Sequence, residues 1–199
     1  MDALAELCAG GHLPARIVRV ISDRPHVPAI ERARRRGLAT AIVPTRGVAP
    51  DAWVADLNRE IERSGAELIV LAGYRSILPP AFVDRWAGRA INLHPSLLPR
   101  HGGPGMYGLR VHEAVLQAGD RETGATVHLV TNDVDRGPIL AQSRVPVGAD
   151  ATPESLRALL HPVEVELLAG VVRRFADGAL PLPYRVSRPP SPSDAGVGG

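Results

Sequence analysis

The chain contains no lysine: all 23 basic residues are arginine, a side chain that keeps its proton throughout the physiological range. Set against 21 acidic residues, they leave a formal net charge of only +2. The one basic cluster, Arg32 with Arg34, Arg35 and Arg36, reads as the solvated face of a helix, so no nucleic-acid partner is expected. Cysteine is nearly absent too. The single thiol, Cys8, excludes an internal disulfide framework and any thiolate metal cluster, and its apolar helical setting reads as structural. Aromatic residues make up 4% of a chain that is 45% hydrophobic, so the core must be built from Ala, Val, Leu and Ile. Apolar runs fall short of the roughly 18 residues of a membrane span. No basic-then-apolar leader opens the sequence. A cytoplasmic protein without a membrane partner is the expectation.

What is present alternates. Apolar, β-branched runs over 16–22, 39–43, 67–71, 89–94, 125–131 and 138–146 read as strands. Helical spacing covers 2–9, 28–36, 50–63, 80–86 and 109–117, and a long helix starts at Thr152-Pro153-Glu154 and runs to Gly178. Pro162 should kink that helix. Alternation of this kind predicts an α/β, Rossmann-like, mostly parallel sheet with helices on both faces. Residues 1–185 form one domain in this reading, and the Pro/Ser/Gly-rich stretch 186–199 reads as a disordered tail.

The chemistry concentrates in Ile91-Asn92-Leu93-His94-Pro95-Ser96-Leu97-Leu98-Pro99. Asn92 and His94 lie two apart at the end of a strand, so their side chains share a face. Ligands of open α/β sheets bind beyond the carboxyl ends of strands. An amide that donates to an oxyanion, beside an imidazole that moves a proton near neutral pH, suits acyl transfer. The bland alternative is a turn-forming Asn and a satisfied polar His. After the strand at 125–131 come Asn132, Asp133 and Asp135. A carboxylate there would favour protonated His94 and raise its pKa; equally, these acids could do no more than shape a turn before Gly137. Two other patterns fail. Gly103-Pro104-Gly105-Met106-Tyr107-Gly108 fits G-x-G-x-x-G but follows a proline loop and not a strand, and His112-Glu113 lacks the second histidine of a zinc-protease motif because Leu116 stands there.

The ordered strings LIVLAGYRSILPPAF, INLHPSLLPR and GATVHLVTNDVDRGPILAQ resemble the phosphoribosylglycinamide formyltransferases, a branch of the folate-dependent formyltransferase family, over about residues 2–180. The resemblance implies transfer of a formyl group from the co-substrate 10-formyltetrahydrofolate to the primary amine of phosphoribosylglycinamide, in purine biosynthesis, without a metal. It implies a monomer or homodimer acting on small molecules. It makes His94 the acid/base, Asn92 the oxyanion donor and Asp135 the carboxylate that sets the state of His94. Arg75, Ser76, Ile77 and Leu78 would lie along the pterin, with Asn132 and Asp133 completing that pocket, and Glu164 would contact the glycinamide substrate. Methionyl-tRNA formyltransferases and formyltetrahydrofolate hydrolases would bring further domains that this sequence does not contain. A sugar-amine formyltransferase, or a catalytically impaired folate-binding relative, stays open as an alternative.

The family opens on a buried strand and a Gly-x-Gly-Ser-Asn turn that holds the substrate phosphate at a helix amino end. Here Asp2–Ala9 aligns just after that turn, and Pro50 stands near where the family often carries a basic residue. A start placed downstream of the true one is the expected reason for the missing strand; weak or no activity is expected if residues 1–199 are the whole protein.

Overall fold

A computed structural model describes residues 1–185; the expected tail at 186–199 lies outside the described residues. The elements run α1 (Asp2–Ala9), β1 (Val20–Ser22), α2 (Pro28–Arg35), β2 (Thr40–Ile42), α3 (Pro50–Ser64) and β3 (Ile69–Leu71). There follow α4 (Pro80–Arg85), β4 (Ala90–His94), α5 (Leu109–Gln117), β5 (Glu122–Leu129), β6 (Ile139–Pro146) and α6 (Pro153–Ala176). Helices α2, α3, α4 and α6 each carry proline in the first turn, where the missing N–H has no intrahelical partner to lose. The Thr152 hydroxyl accepts from Ser155 N–H at 3.1 Å, and the Ser155 hydroxyl accepts from Thr152 N–H at 2.9 Å, closing a capping box. The helix it starts continues through Pro162.

β1 and β2 pair in parallel as a two-stranded piece, and β3-β4-β5-β6 form a second sheet. Within that sheet β3 and β4 are parallel, while β5 runs antiparallel to both β4 and β6. β3, β4 and β6 therefore point one way and β5 alone is reversed.

Alternation along the strands divides the core between two faces. On one face Ile91, Val127, Leu129 and Leu140 pack with Leu168, Val171 and Phe175 of α6, with Leu4 and Leu7 of α1 against them. On the other, Ala90, Ile69 and Leu71 meet Trp53, Leu57 and Ile61 of α3 and Phe82 and Trp86 of α4. Complete burial of side chains such as Ile91 and Phe82 contributes roughly 1.5–3 kcal/mol each. Asn92 and His94 share parity with Ala90, which directs them to the α4 face.

The arginine cluster is a helix face partnered by α1: Arg32 reaches Asp2 at 2.5 Å, and Arg36 reaches Asp2 at 3.0 Å and Glu6 at 2.6 Å. Cys8 is half-buried against the α6-side core, and burial pushes its thiol pKa up, away from nucleophilic use.

Candidate active site

β4 and β5 build the floor. Their antiparallel register sets Asn92 opposite His128 and His94 opposite Thr126, so four polar side chains share the α4 face. The string after His94 is held down by Thr126. Its hydroxyl donates to the Ser96 carbonyl at 2.6 Å and accepts from Leu98 N–H at 3.1 Å, and the Gln142 amide donates to the same hydroxyl at 2.9 Å. Thr126 is fully buried, so Thr126→Val leaves an amide N–H, a carbonyl and a side-chain amide short of a partner. We expect a loss of about 2–3 kcal/mol in denaturant unfolding and a looser His94 segment.

Asp135 arrives by a different route from the one its position suggests. Because β5 is reversed, its carboxyl end lies beside the amino end of β4, where Val130 N–H donates to the Ala90 carbonyl at 2.9 Å. The loop 130–137 then folds back over the face, with Leu129 N–H bonded to the Pro138 carbonyl at its base. Gly137 permits the fold-back, since a Cβ there would overlap the Leu129 carbonyl oxygen. Asp135 sits at φ 56°, a left-handed conformation that Asp and Asn tolerate better than most residues.

The groups converge. The Asp135 carboxylate stands 3.5 Å from His94 Nδ1 and 3.5 Å from His128 Nε2, and it accepts from Gly103 N–H at 2.9 Å. Asn92 Nδ2 lies 3.1 Å from His128 Nε2 and 3.5 Å from Asp135 Oδ1. With His128 Nδ1 donating to the Leu129 carbonyl at 2.9 Å, Nε2 accepts from Asn92, which fixes the orientation of that amide. His94 Nε2 donates to the His101 carbonyl at 2.8 Å, leaving Nδ1 as the basic nitrogen facing Asp135. His94 is 3% exposed beneath the 101–103 segment, whereas Asn92 is half-buried and accessible. A ligand reaching the imidazole must displace the His101 carbonyl.

Electrostatics corrects one expectation. Burial holds His94 below the ordinary imidazole value of 6.5 and outweighs the opposite pull of Asp135 and the His101 carbonyl. Burial also works to raise the Asp135 carboxyl, but contact with His128, the charge of His94 and the Gly103 N–H together bring it below its usual 3.8. Neutral imidazole beside ionised carboxylate is the resting state of the pair.

The remaining predicted residues fall into two groups. Arg75, Ser76 and Ile77 are exposed after β3, while Leu78 is buried in the core that also holds Phe82 and packs against Val130. Asn132 donates to Asp84 of α4 at 2.9 Å, and the Asp133 carbonyl accepts from Thr131 and Arg136 with its own side chain exposed. The 75–78 segment and the 130–135 loop are thereby brought against the same small core. Glu164 makes no direct contact with the Asn92, His94 and Asp135 cluster. It stands half-buried on α6, 3.9 Å from His161, with burial raising its carboxyl pKa. Burial, with the nearby charges of Arg157 and His94, lowers the pKa of buried His112.

His128 was not foreseen from sequence. Only the antiparallel β4–β5 register signals it, by setting it across from Asn92. The His101 carbonyl and Gly103 N–H, backbone groups of an irregular loop, left no sequence signal.

A neutral imidazole, an oriented amide and an ionised carboxylate gathered on one face of a mostly parallel α/β sheet suit the acyl-transfer class of enzyme. A family model described as formyl transferase matches residues 1–172, and the chain belongs to that family. It is 35% identical to a phosphoribosylglycinamide formyltransferase of Escherichia coli K12, over 90% of this chain and 83% of the relative. It is 32% identical to an enzyme of the same name from Haemophilus influenzae, over 92% of this chain and 84% of the relative. Among solved structures, glycinamide ribonucleotide transformylase 1 from Symbiobacterium toebii superposes with a TM-score of 0.83 at 34% identity, covering 90% of this chain and 82% of that one.

Proposed function

We propose that the chain transfers the formyl group of 10-formyltetrahydrofolate to the primary amine of phosphoribosylglycinamide, as a step of de novo purine biosynthesis. The observation that carries the reading is the convergence of Asn92, His94 and Asp135 on one face of the β4–β5 pair. It accords with the activity for which the relatives are named. In this reading the enzyme is a cytoplasmic monomer or homodimer acting on small molecules, with no metal among its catalytic groups.

The substrate amine attacks the formyl carbon, and the carbonyl π electrons move onto oxygen. The Asn92 amide N–H donates to that oxyanion. The attacking nitrogen gives up a proton to the His94 imidazole, and the resulting imidazolium is balanced by Asp135, whose carboxylate lies 3.5 Å from Nδ1. That proton passes to the folate nitrogen as its bond to the formyl carbon breaks, leaving a formamide and tetrahydrofolate. Leu78 and the backbone of 75–77 hold the pterin against the 130–135 loop, and Glu164 orients the amine-bearing substrate.

The test is an absorbance assay with 10-formyl-5,8-dideazafolate and phosphoribosylglycinamide. Release of the deformylated folate only when the amine is present supports the proposal. Equal release with a sugar-nucleotide amine, or release without any amine, overturns it.

A further inference from the structure

Two arginine side chains at the carboxyl-end edge of β3 and β4 have no part in the formyl-transfer chemistry. These strands are parallel neighbours, so the loops that follow them emerge on one edge, where His94 ends β4. Arg75 stands shortly past Leu71 on the first loop. Tyr107 closes the second loop, and Arg110 follows in the opening turn of α5. The second loop also supplies the Gly103 N–H that binds Asp135, which ties it to the catalytic cluster.

The two guanidiniums meet on one ring. Arg75 Cζ lies 5.4 Å from the centroid of Tyr107, and Arg110 Cζ lies 5.2 Å from it. All three side chains are exposed. Each contact with the ring is attractive but weak at an exposed position, and the repulsion of two like charges opposes it. Arg110 carries a further cost, since a cation in the first turn of a helix faces the positive end of its dipole. Among the described residues neither guanidinium is paired with a carboxylate, whereas Arg32, Arg36 and Arg85 each reach one. What offsets these costs is an anion, because a guanidinium fork matches carboxylate and phosphate oxygens alike.

The place fits a ligand as well as the charge does. Ligands of α/β sheets bind beyond the carboxyl ends of parallel strands. Both substrates of the proposed reaction carry an anion remote from the reacting atoms: the folate ends in glutamate carboxylates, and the glycinamide bears a ribosyl phosphate. Residue 75 meets the pterin through its backbone in that reading, which leaves its side chain free.

We propose that Arg75 and Arg110, arrayed on Tyr107, form an anion subsite beside the active site that receives a carboxylate or phosphate of an incoming substrate. Tyr107 is the positioning residue that holds both forks. The choice of substrates rests on the formyl-transfer reading; the basic pair does not, and direct binding tests it without turnover.

Proton–nitrogen correlation spectra follow the Nε–H signals of Arg75 and Arg110, identified by their loss in Arg75→Gln and Arg110→Gln. The intact chain is titrated with ribose 5-phosphate and, separately, with p-aminobenzoylglutamate. One of the two should shift both signals saturably, which names the source of the anion, and chloride at equal ionic strength should not. In the dideazafolate assay the Arg75→Gln, Arg110→Gln double variant should raise KM for the matching substrate about ten-fold. The other KM and kcat should stay within about two-fold. Tyr107→Phe, which keeps the ring face, should behave as the parent, and Tyr107→Leu should raise the same KM about three-fold. Absence of a saturable shift with either ligand overturns the proposal, as does an unchanged KM for both substrates in the double variant. Where the parent itself shows no turnover, the spectra alone decide, and saturable shifts then uphold the subsite while the formyl-transfer reading falls.

Discussion

His94→Ala should lower kcat by about 10²–10⁴-fold while leaving KM for both substrates within a few-fold, read in the dideazafolate assay. Proton transfer is confined to the transition state, whereas the binding surfaces assigned to Leu78 and Glu164 lie elsewhere. His94 is also buried and bonded to the His101 carbonyl, so its removal loosens the loop above it. His94→Gln separates the two effects, since its amide can still donate to that carbonyl. Loss of turnover in both variants, with far-ultraviolet circular dichroism unchanged, assigns the defect to the proton. Turnover within ten-fold of the parent in either variant would remove His94 from the mechanism.

Asp135→Asn is the second large effect, and asparagine is the replacement that keeps the left-handed backbone at φ 56° acceptable. With no anion to balance the imidazolium, kcat should fall by about 10²–10³-fold. The pH profile carries the sharper prediction. Burial already places the His94 pKa below 6.5, and the carboxylate opposes that shift. Activity requires neutral His94, so the acid limb of kcat/KM should lie below pH 6.5 in the parent and move to lower pH in Asp135→Asn. A limb that moves upward, or stays fixed, contradicts the pairing. Stability follows the same logic. Since the folded His94 value lies below the unfolded 6.5, the contribution of neutral burial is complete above 6.5 and is lost as pH falls from there toward the folded value. Asp135 has a folded value below 3.8, so its contribution is present above 3.8 and is lost as pH falls through the folded value. Thermal melting of the parent should therefore weaken in two steps on acidification, and the variant should lack the lower one.

The elements themselves were readable in the chain. Prolines at helix starts, the Thr152 cap and the β-branched runs encode structure locally, and each helix and strand appears within a few residues of its expected place. Ends moved where pairing decides them. β1 and β3 are shorter than their apolar runs because each has a partner on one edge only.

Asn92 and His94 were equally legible, because a spacing of two in a strand sets both side chains on one face wherever the strand lies. Asp135 was singled out on incomplete grounds. The direction of β5 is set by pairing with β4, which no local pattern records, and only the fold-back at Gly137 returns the carboxylate to the imidazole. His128 depends on that same register.

By itself, then, the order of residues determined which segments are helix or strand, which face each presents, and that an amide and an imidazole stand side by side. Those properties are local, set by side-chain period, capping and backbone restriction. The tertiary structure alone decided that β5 runs in reverse, that His128 and two loop backbone groups join the cluster, and that burial overrides the carboxylate in setting the charge of His94. Each of these depends on contacts between residues distant in the chain, and on the water those contacts exclude.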